Sequence, residues 1–92
     1  MVYTDGGDDL RYRGATIDVK TVGCHRTDPD LTVDAYDRLR ADYYVLATRV
    51  GPSDVRLLGY APRQFVRTHR RGHEGRPYHL VEQAYLFPVM RL

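Results

Sequence analysis

Cysteine is almost missing from this chain. Cys24 is the single example, which excludes an internal disulfide framework and a four-cysteine zinc site. A lone thiol suits a reducing compartment, so a cytoplasmic location is expected. Long apolar runs are missing too. No stretch approaches the roughly 20 residues a helix needs to cross a bilayer. The opening Met-Val-Tyr-Thr-Asp-Gly-Gly has no apolar stretch of the signal-peptide kind, and no membrane partner is expected. Charge of one sign is also scarce: the net value of +2 is too small to announce a nucleic-acid binder by itself. The last scarcity is lysine. Thirteen of the fourteen Lys and Arg residues are arginine, and Lys20 is the exception. Such a bias follows from a GC-rich coding sequence, so most arginines carry no message. The one lysine stands out because a compact, tunable ammonium differs chemically from a guanidinium.

What is present describes one small domain, residues 1–92. A chain of this length buries about 60–65% of its unfolded surface, which makes it marginal and favours dimerisation. Hydrophobic residues at 42% and charged residues at 28% are the balance of an ordinary globular protein. Charge is uneven along the chain. Residues 1–42 hold nine acids and six bases, and residues 43–92 hold three acids and eight bases. An acidic pocket beside a basic surface fits this split, and so does chance scatter.

Leu10 to Arg13 alternates apolar and charged residues, Gly14-Ala15 offers a tight turn, and Thr16 to Val22 is a β-branched run of period two. Together they predict a β-hairpin. Thr32 or Asp34 could cap a short helix running to about Arg40. Tyr43 to Val50 reads as a strand buried on both faces. The Gly51-Pro52-Ser53-Asp54 turn then leads to an antiparallel strand over 55–60. Pro62 suits the first position of a helix to about Thr68 that buries Phe65 and Val66. His69 to Arg76 reads as a charged, glycine-broken loop. Tyr78 and Leu80 mark a short strand, a turn follows near 82–86, and Pro88 ends regular structure. The expected class is α+β (α/β): one mixed sheet of four or five strands with two or three short helices.

Asp18 and Lys20 lie two apart on a strand, so both side chains emerge on one face. The plain reading is an ion pair at a sheet surface, worth less than about 1 kcal/mol. The sharper reading is a metal-bound carboxylate with a lysine beside a reacting phosphate. An Asp-x-Lys triplet alone is nearly uninformative; its context promotes it. Asp9, with Asp8 and Asp5 nearby, stands at the start of the partner strand, and a hairpin brings that point toward Asp18. Two carboxylates plus a backbone carbonyl such as that of Val19 make an all-oxygen site for Mg²⁺ or Mn²⁺.

Asp9, the turn at Gly14 and Ile17-Asp18-Val19-Lys20 resemble the PD-(D/E)XK nuclease superfamily, with its restriction-endonuclease-like fold. The order continues through a polar loop, a short helix, Ala41-Asp42-Tyr43-Tyr44-Val45-Leu46-Ala47, Val55-Arg56-Leu57-Leu58-Gly59-Tyr60-Ala61 and a helix at Pro62. It is similar to small archaeal and phage members, over residues 5–70. The resemblance implies that Asp18 is a metal ligand, Lys20 the catalytic lysine and Asp9 the upstream acid, with Asp8 competing for that role. It implies a Mg-dependent deoxyribonuclease, with DNA as partner and a homodimer as assembly. Two features depart from the family pattern: no proline precedes Asp9, and only eight residues do. The usual first helix, often carrying a metal-binding glutamate, is therefore expected to be missing, as in an N-terminally truncated form. A catalytically inactive module on the same fold, binding nucleic acid or a protein partner, stays open beside the nuclease. So does an unrelated small α+β protein.

Arg26, Arg67, Arg70, Arg71 and His73 are candidates for phosphate contact, alongside the plain reading of a solvated loop. His69 and His73 are four apart, but Gly72 and Gly75 argue against a helical zinc site. Cys24 and His25 are adjacent on an extended chain and point apart, so an inert cysteine is expected. Most of the eight tyrosines are expected in the core and the sheet rather than stacked on bases.

Overall fold

The computed structural model describes residues 10–23, 27–34, 39–73 and 76–92. In chain order the elements are β1 (Leu10–Tyr12), β2 (Ala15–Val22), β3 (Leu31–Asp34), β4 (Tyr43–Arg49), β5 (Val55–Pro62), α1 (Arg63–Arg67), β6 (Arg70–His73) and β7 (Arg76–Val81). Two single 3₁₀ turns, Gln83–Tyr85 and Val89–Arg91, follow.

β1 and β2 form the expected hairpin, with Leu10 opposite Ile17, Arg11 opposite Thr16 and Tyr12 opposite Ala15. Its turn is Arg13-Gly14, one residue earlier than the sequence suggests. Both residues have positive φ, 53° and 83°, which matches the right-handed twist of the strands the turn joins. Glycine takes this conformation freely, whereas Arg13 holds it against its own Cβ. β2 pairs in parallel with β4, and β4 pairs antiparallel with β5. The resulting mixed sheet runs β1-β2-β4-β5. Tyr44 to Ala47 of β4 are all buried, as its continuous apolar run requires when both faces are covered.

The class is α+β, and the four-stranded mixed sheet matches the expectation. Sheet number does not: β3, β7 and β6 make a second, three-stranded antiparallel sheet. The two sheets and α1 share one core, in which Leu31, Val33 and Val81 meet Tyr44, Leu46, Ala61 and Val66. A smaller cluster of Ile17, Val45 and Tyr60 fills the other face of the first sheet. Val19, Tyr43, Phe87 and Leu92 pack against it.

Three local expectations are corrected. The predicted helix from Thr32 or Asp34 begins instead as β3; residues 35–38 lie outside the described residues. Leu31 and Val33 are buried while Thr32 between them is exposed, a period of two that pairing with β7 selects over helix. The 69–76 loop is replaced by β6 and the start of β7, paired from Arg70–His79 to His73–Arg76. Gly72 at φ 144° is one of its ladder residues. On β7 the core-facing residues are His79 and Val81 rather than Tyr78 and Leu80. Among the described residues there is one α-helix rather than the two or three expected: Arg63–Arg67, with Pro62 as its N-cap and the last residue of β5. Val66 is buried and Phe65 half-buried.

Candidate functional site

β2 presents Asp18 and Lys20 on the face that also carries Thr16, because alternate residues share a side. Asp18 lies beside Tyr44 and Lys20 beside Leu46 across the parallel pairing. Lys20 Nζ stands 3.3 Å from Asp18 Oδ2, and the two side chains are 19% and 6% exposed. The pair therefore sits at the rim of the shared core, with the ammonium on the wetter side. A carboxylate this buried is costly without a charged partner, and Lys20 supplies one. Tyr44 supplies the inner wall. Burial pushes its phenol above the ordinary 10.0, while the backbone of Ala41 acts the other way by donating to its oxygen at 3.3 Å.

One register step along the same face lies a second polar group. Asp42 Oδ2 accepts from Thr16 N at 2.9 Å and from Thr16 Oγ1 at 3.1 Å. Asp42 N in turn donates to Thr16 O at 2.9 Å. Arg63 Nη2 pairs with Asp42 Oδ1 at 3.8 Å, and Arg63 Nη1 donates to Arg40 O at 3.2 Å. These hydrogen bonds, the backbone N–H of Thr16 first, hold the Asp42 carboxyl below its ordinary value. Asp42 thus fixes the start of β4 against β2 and sets the register that carries Asp18 and Lys20. Around it a shallow cleft of about 330 Å³ is lined by Arg13, Asp42, Tyr43, Pro62, Arg63 and Gln64, among others.

Asp9, with its rival Asp8, and Arg26 lie outside the described residues. Leu10, the neighbour of Asp9 in the chain, pairs with Ile17, the neighbour of Asp18. Asp18 and Val19 are the described members of the expected metal set. Among the described residues no three His, Cys, Asp or Glu side chains gather as a metal-binding group. Arg67, Arg70 and Arg71 are exposed, but they do not form one stripe. Arg67 ends α1, and Arg70 and Arg71 are consecutive on β6 and so point to opposite sides. Arg70 is paired opposite His79, Arg71 opposite Tyr78. His73 is the last residue of β6. His69 is occupied structurally: Nδ1 lies 2.7 Å from Phe65 O, and its ring is 4.4 Å from that of Phe65.

Sequence reasoning missed Asp42 and the fact that Arg11 shares this face. The signal for Arg11 was available, since a two-residue turn at 13–14 places it opposite Thr16 and hence on the Asp18 face. The signal for Asp42 was not, because its partner is 26 positions away. Among the described residues no helix is long and apolar enough to cross a membrane. Comparisons with protein-family models, with curated proteins and with solved structures found no match.

Proposed function

We propose that this protein is a metal-dependent phosphodiesterase that hydrolyses DNA, built on a restriction-endonuclease-like core. One observation carries the reading: the Asp18–Lys20 pair, 3.3 Å apart on one face of β2, stands at the edge of a buried core. The parallel pairing of β2 with β4 supports it, because it holds Asp18 and Lys20 in the ladder opposite Tyr44 and Leu46.

The donor chemistry suits a hard cation. Asp18, the carbonyl of Val19 and Asp9 would hold Mg²⁺ or Mn²⁺ through oxygen alone. Such an ion, when bound, lowers the pKa of its water and offsets charge on the attacked phosphate. Asp18 supplies a carboxylate already positioned by its strand. Lys20 places an ammonium where charge develops on a phosphoryl oxygen or on the attacking water. Tyr44 keeps bulk water from the inner side of the carboxylate. Of Arg67, Arg70, Arg71 and His73, those on one side of β6 would meet the nucleic-acid backbone, since Arg70 and Arg71 point apart. A homodimer and a cytoplasmic location belong to the same reading, resting on the family resemblance and the single cysteine.

The test is plasmid nicking in Mg²⁺ or Mn²⁺ by the wild type, Lys20→Ala and Asp18→Ala. A loss of at least about 100-fold is expected in either variant, the order of magnitude for removing one charge-stabilising or proton-moving group. Equal nicking by all three proteins would mean that the activity belongs to a contaminant. DNA binding with a steep salt slope but without cleavage or metal uptake would replace the nuclease by a non-catalytic module.

A further inference from the structure

We infer that Arg11 is a substrate-binding residue, gripping a backbone phosphate of the nucleic acid next to the one held at Lys20. The inference rests on the phosphodiesterase reading for the identity of its ligand, and on the geometry of β1 for its place. Arg11 is opposite Thr16, so its side chain shares the face that carries Asp18 and Lys20. It is the diagonal neighbour of Asp18, and such positions lie about 7–8 Å apart across an antiparallel pair. That spacing lets a long guanidinium side chain and a short carboxylate address neighbouring groups on one extended ligand.

Two other cations along this face are engaged. Lys20 is paired with Asp18, and Arg63 with Asp42 and the carbonyl of Arg40. Arg13 leaves the face at the turn and lies 5.3 Å over the Tyr12 ring. Arg11 is exposed and makes no ion pair among the described residues. Its charge reaches the carboxylate of Asp42, whose oxygens are already occupied by Thr16 and Arg63. A fork of donors with no ion-pair partner among the described residues, standing on the outermost described strand of its sheet, is suited to bidentate capture of phosphate oxygens. Among the described residues no other strand of its sheet lies outside β1, so a polyanion approaching that edge meets Arg11 before the rest of the described sheet.

The experiment is fluorescence anisotropy of a labelled DNA duplex in Ca²⁺, across salt from about 50 to 200 mM, with circular dichroism to verify folding. Arg11→Ala is expected to weaken binding about 5- to 20-fold at the low-salt end and to reduce the slope of log K against log salt by about 1. Arg11→Lys should restore the slope but only part of the affinity, since the charge returns without the fork. Arg91→Ala, an exposed arginine at the opposite end of the chain, should leave both unchanged. If Arg11→Ala binds with wild-type affinity and slope while Asp18→Ala abolishes cleavage, the Arg11 assignment is overturned and the phosphodiesterase stands. If the Arg11 effect is seen in a protein that never cleaves, the phosphate contact stands and hydrolysis falls. A wild type that binds no duplex overturns both.

Discussion

The two sheets of this small protein are built to different standards. The first is anchored by β4, seven residues long and hydrogen-bonded on both sides, and it carries the Asp18–Lys20 pair. The second consists of strands of four, six and four residues, two of them edges, with a histidine inside. A long strand with continuous apolar character commits the chain locally. Short polar strands exist only because a partner from elsewhere supplies their ladder. The contrast teaches that the sheet built on long strands holds the candidate chemistry and the sheet built on short ones covers its inner face.

The largest expected effect tests that contrast directly. Leu46 and Leu31 are both fully buried, one in the central β4 and one in the edge strand β3. Truncation of either to alanine should cost about 2–5 kcal/mol, with Leu46→Ala at the upper end, because both neighbouring strands prevent collapse around the void. Urea denaturation of the two variants measures the difference. Equal losses would show that the sheets form one cooperative unit of uniform rigidity.

A smaller loss is expected at Gly59, where a Cβ would come within 2.7 Å of Leu86 Cβ and 3.2 Å of Phe87 O. Gly59→Ala should destabilise by about 1–3 kcal/mol, the usual cost of overpacking. The shift should be visible in the same denaturation assay. An unchanged midpoint would mean that the segment after the second sheet can move away freely.

The smallest effect concerns the second sheet alone. His79 is 6% exposed and faces the shared core. Burial first, then the charge of Arg70 and more weakly that of Arg67, hold its imidazole below the ordinary 6.5, while the backbone of Val33 acts the other way. The unfolded chain therefore takes up a proton at higher pH than the folded one. Stability declines as pH falls through 6.5 and levels off below the folded value. Tm should drop by a few degrees between pH of about 7.5 and 5.5, and His79→Gln should flatten that dependence. A wild type as heat-stable at the lower pH as at the higher one would refute the burial argument.

The same contrast explains what could be read in advance. β2, β4, β5 and α1 follow from local pattern: β-branched alternation, an apolar run, a Gly-Pro turn and a proline cap. β3 and β6 do not, since Leu-Thr-Val-Asp and Arg-Arg-Gly-His acquire strand geometry by pairing with β7. The Asp18–Lys20 pair was legible because period two depends only on neighbours. The Asp42–Thr16 link was not, because it joins residues brought together by the parallel crossover.

The bridge between Tyr60 and Phe87 has one more consequence. Tyr60 N donates to Phe87 O at 2.9 Å and Phe87 N to Tyr60 O at 2.8 Å, closing part of the outer edge of β5 with a single residue. The Phe87 ring sits 5.7 Å from that of Tyr60 and 5.5 Å from that of Phe65. A bare β edge is a template on which other chains can grow. This one is stoppered at Tyr60, while no described residue pairs with its outer edge at Val55 and Leu57, which are 46% and 48% exposed. Release of the segment around Phe87 would therefore lengthen the sticky stretch of β5, tying the protein's resistance to aggregation to how tightly that segment is fastened.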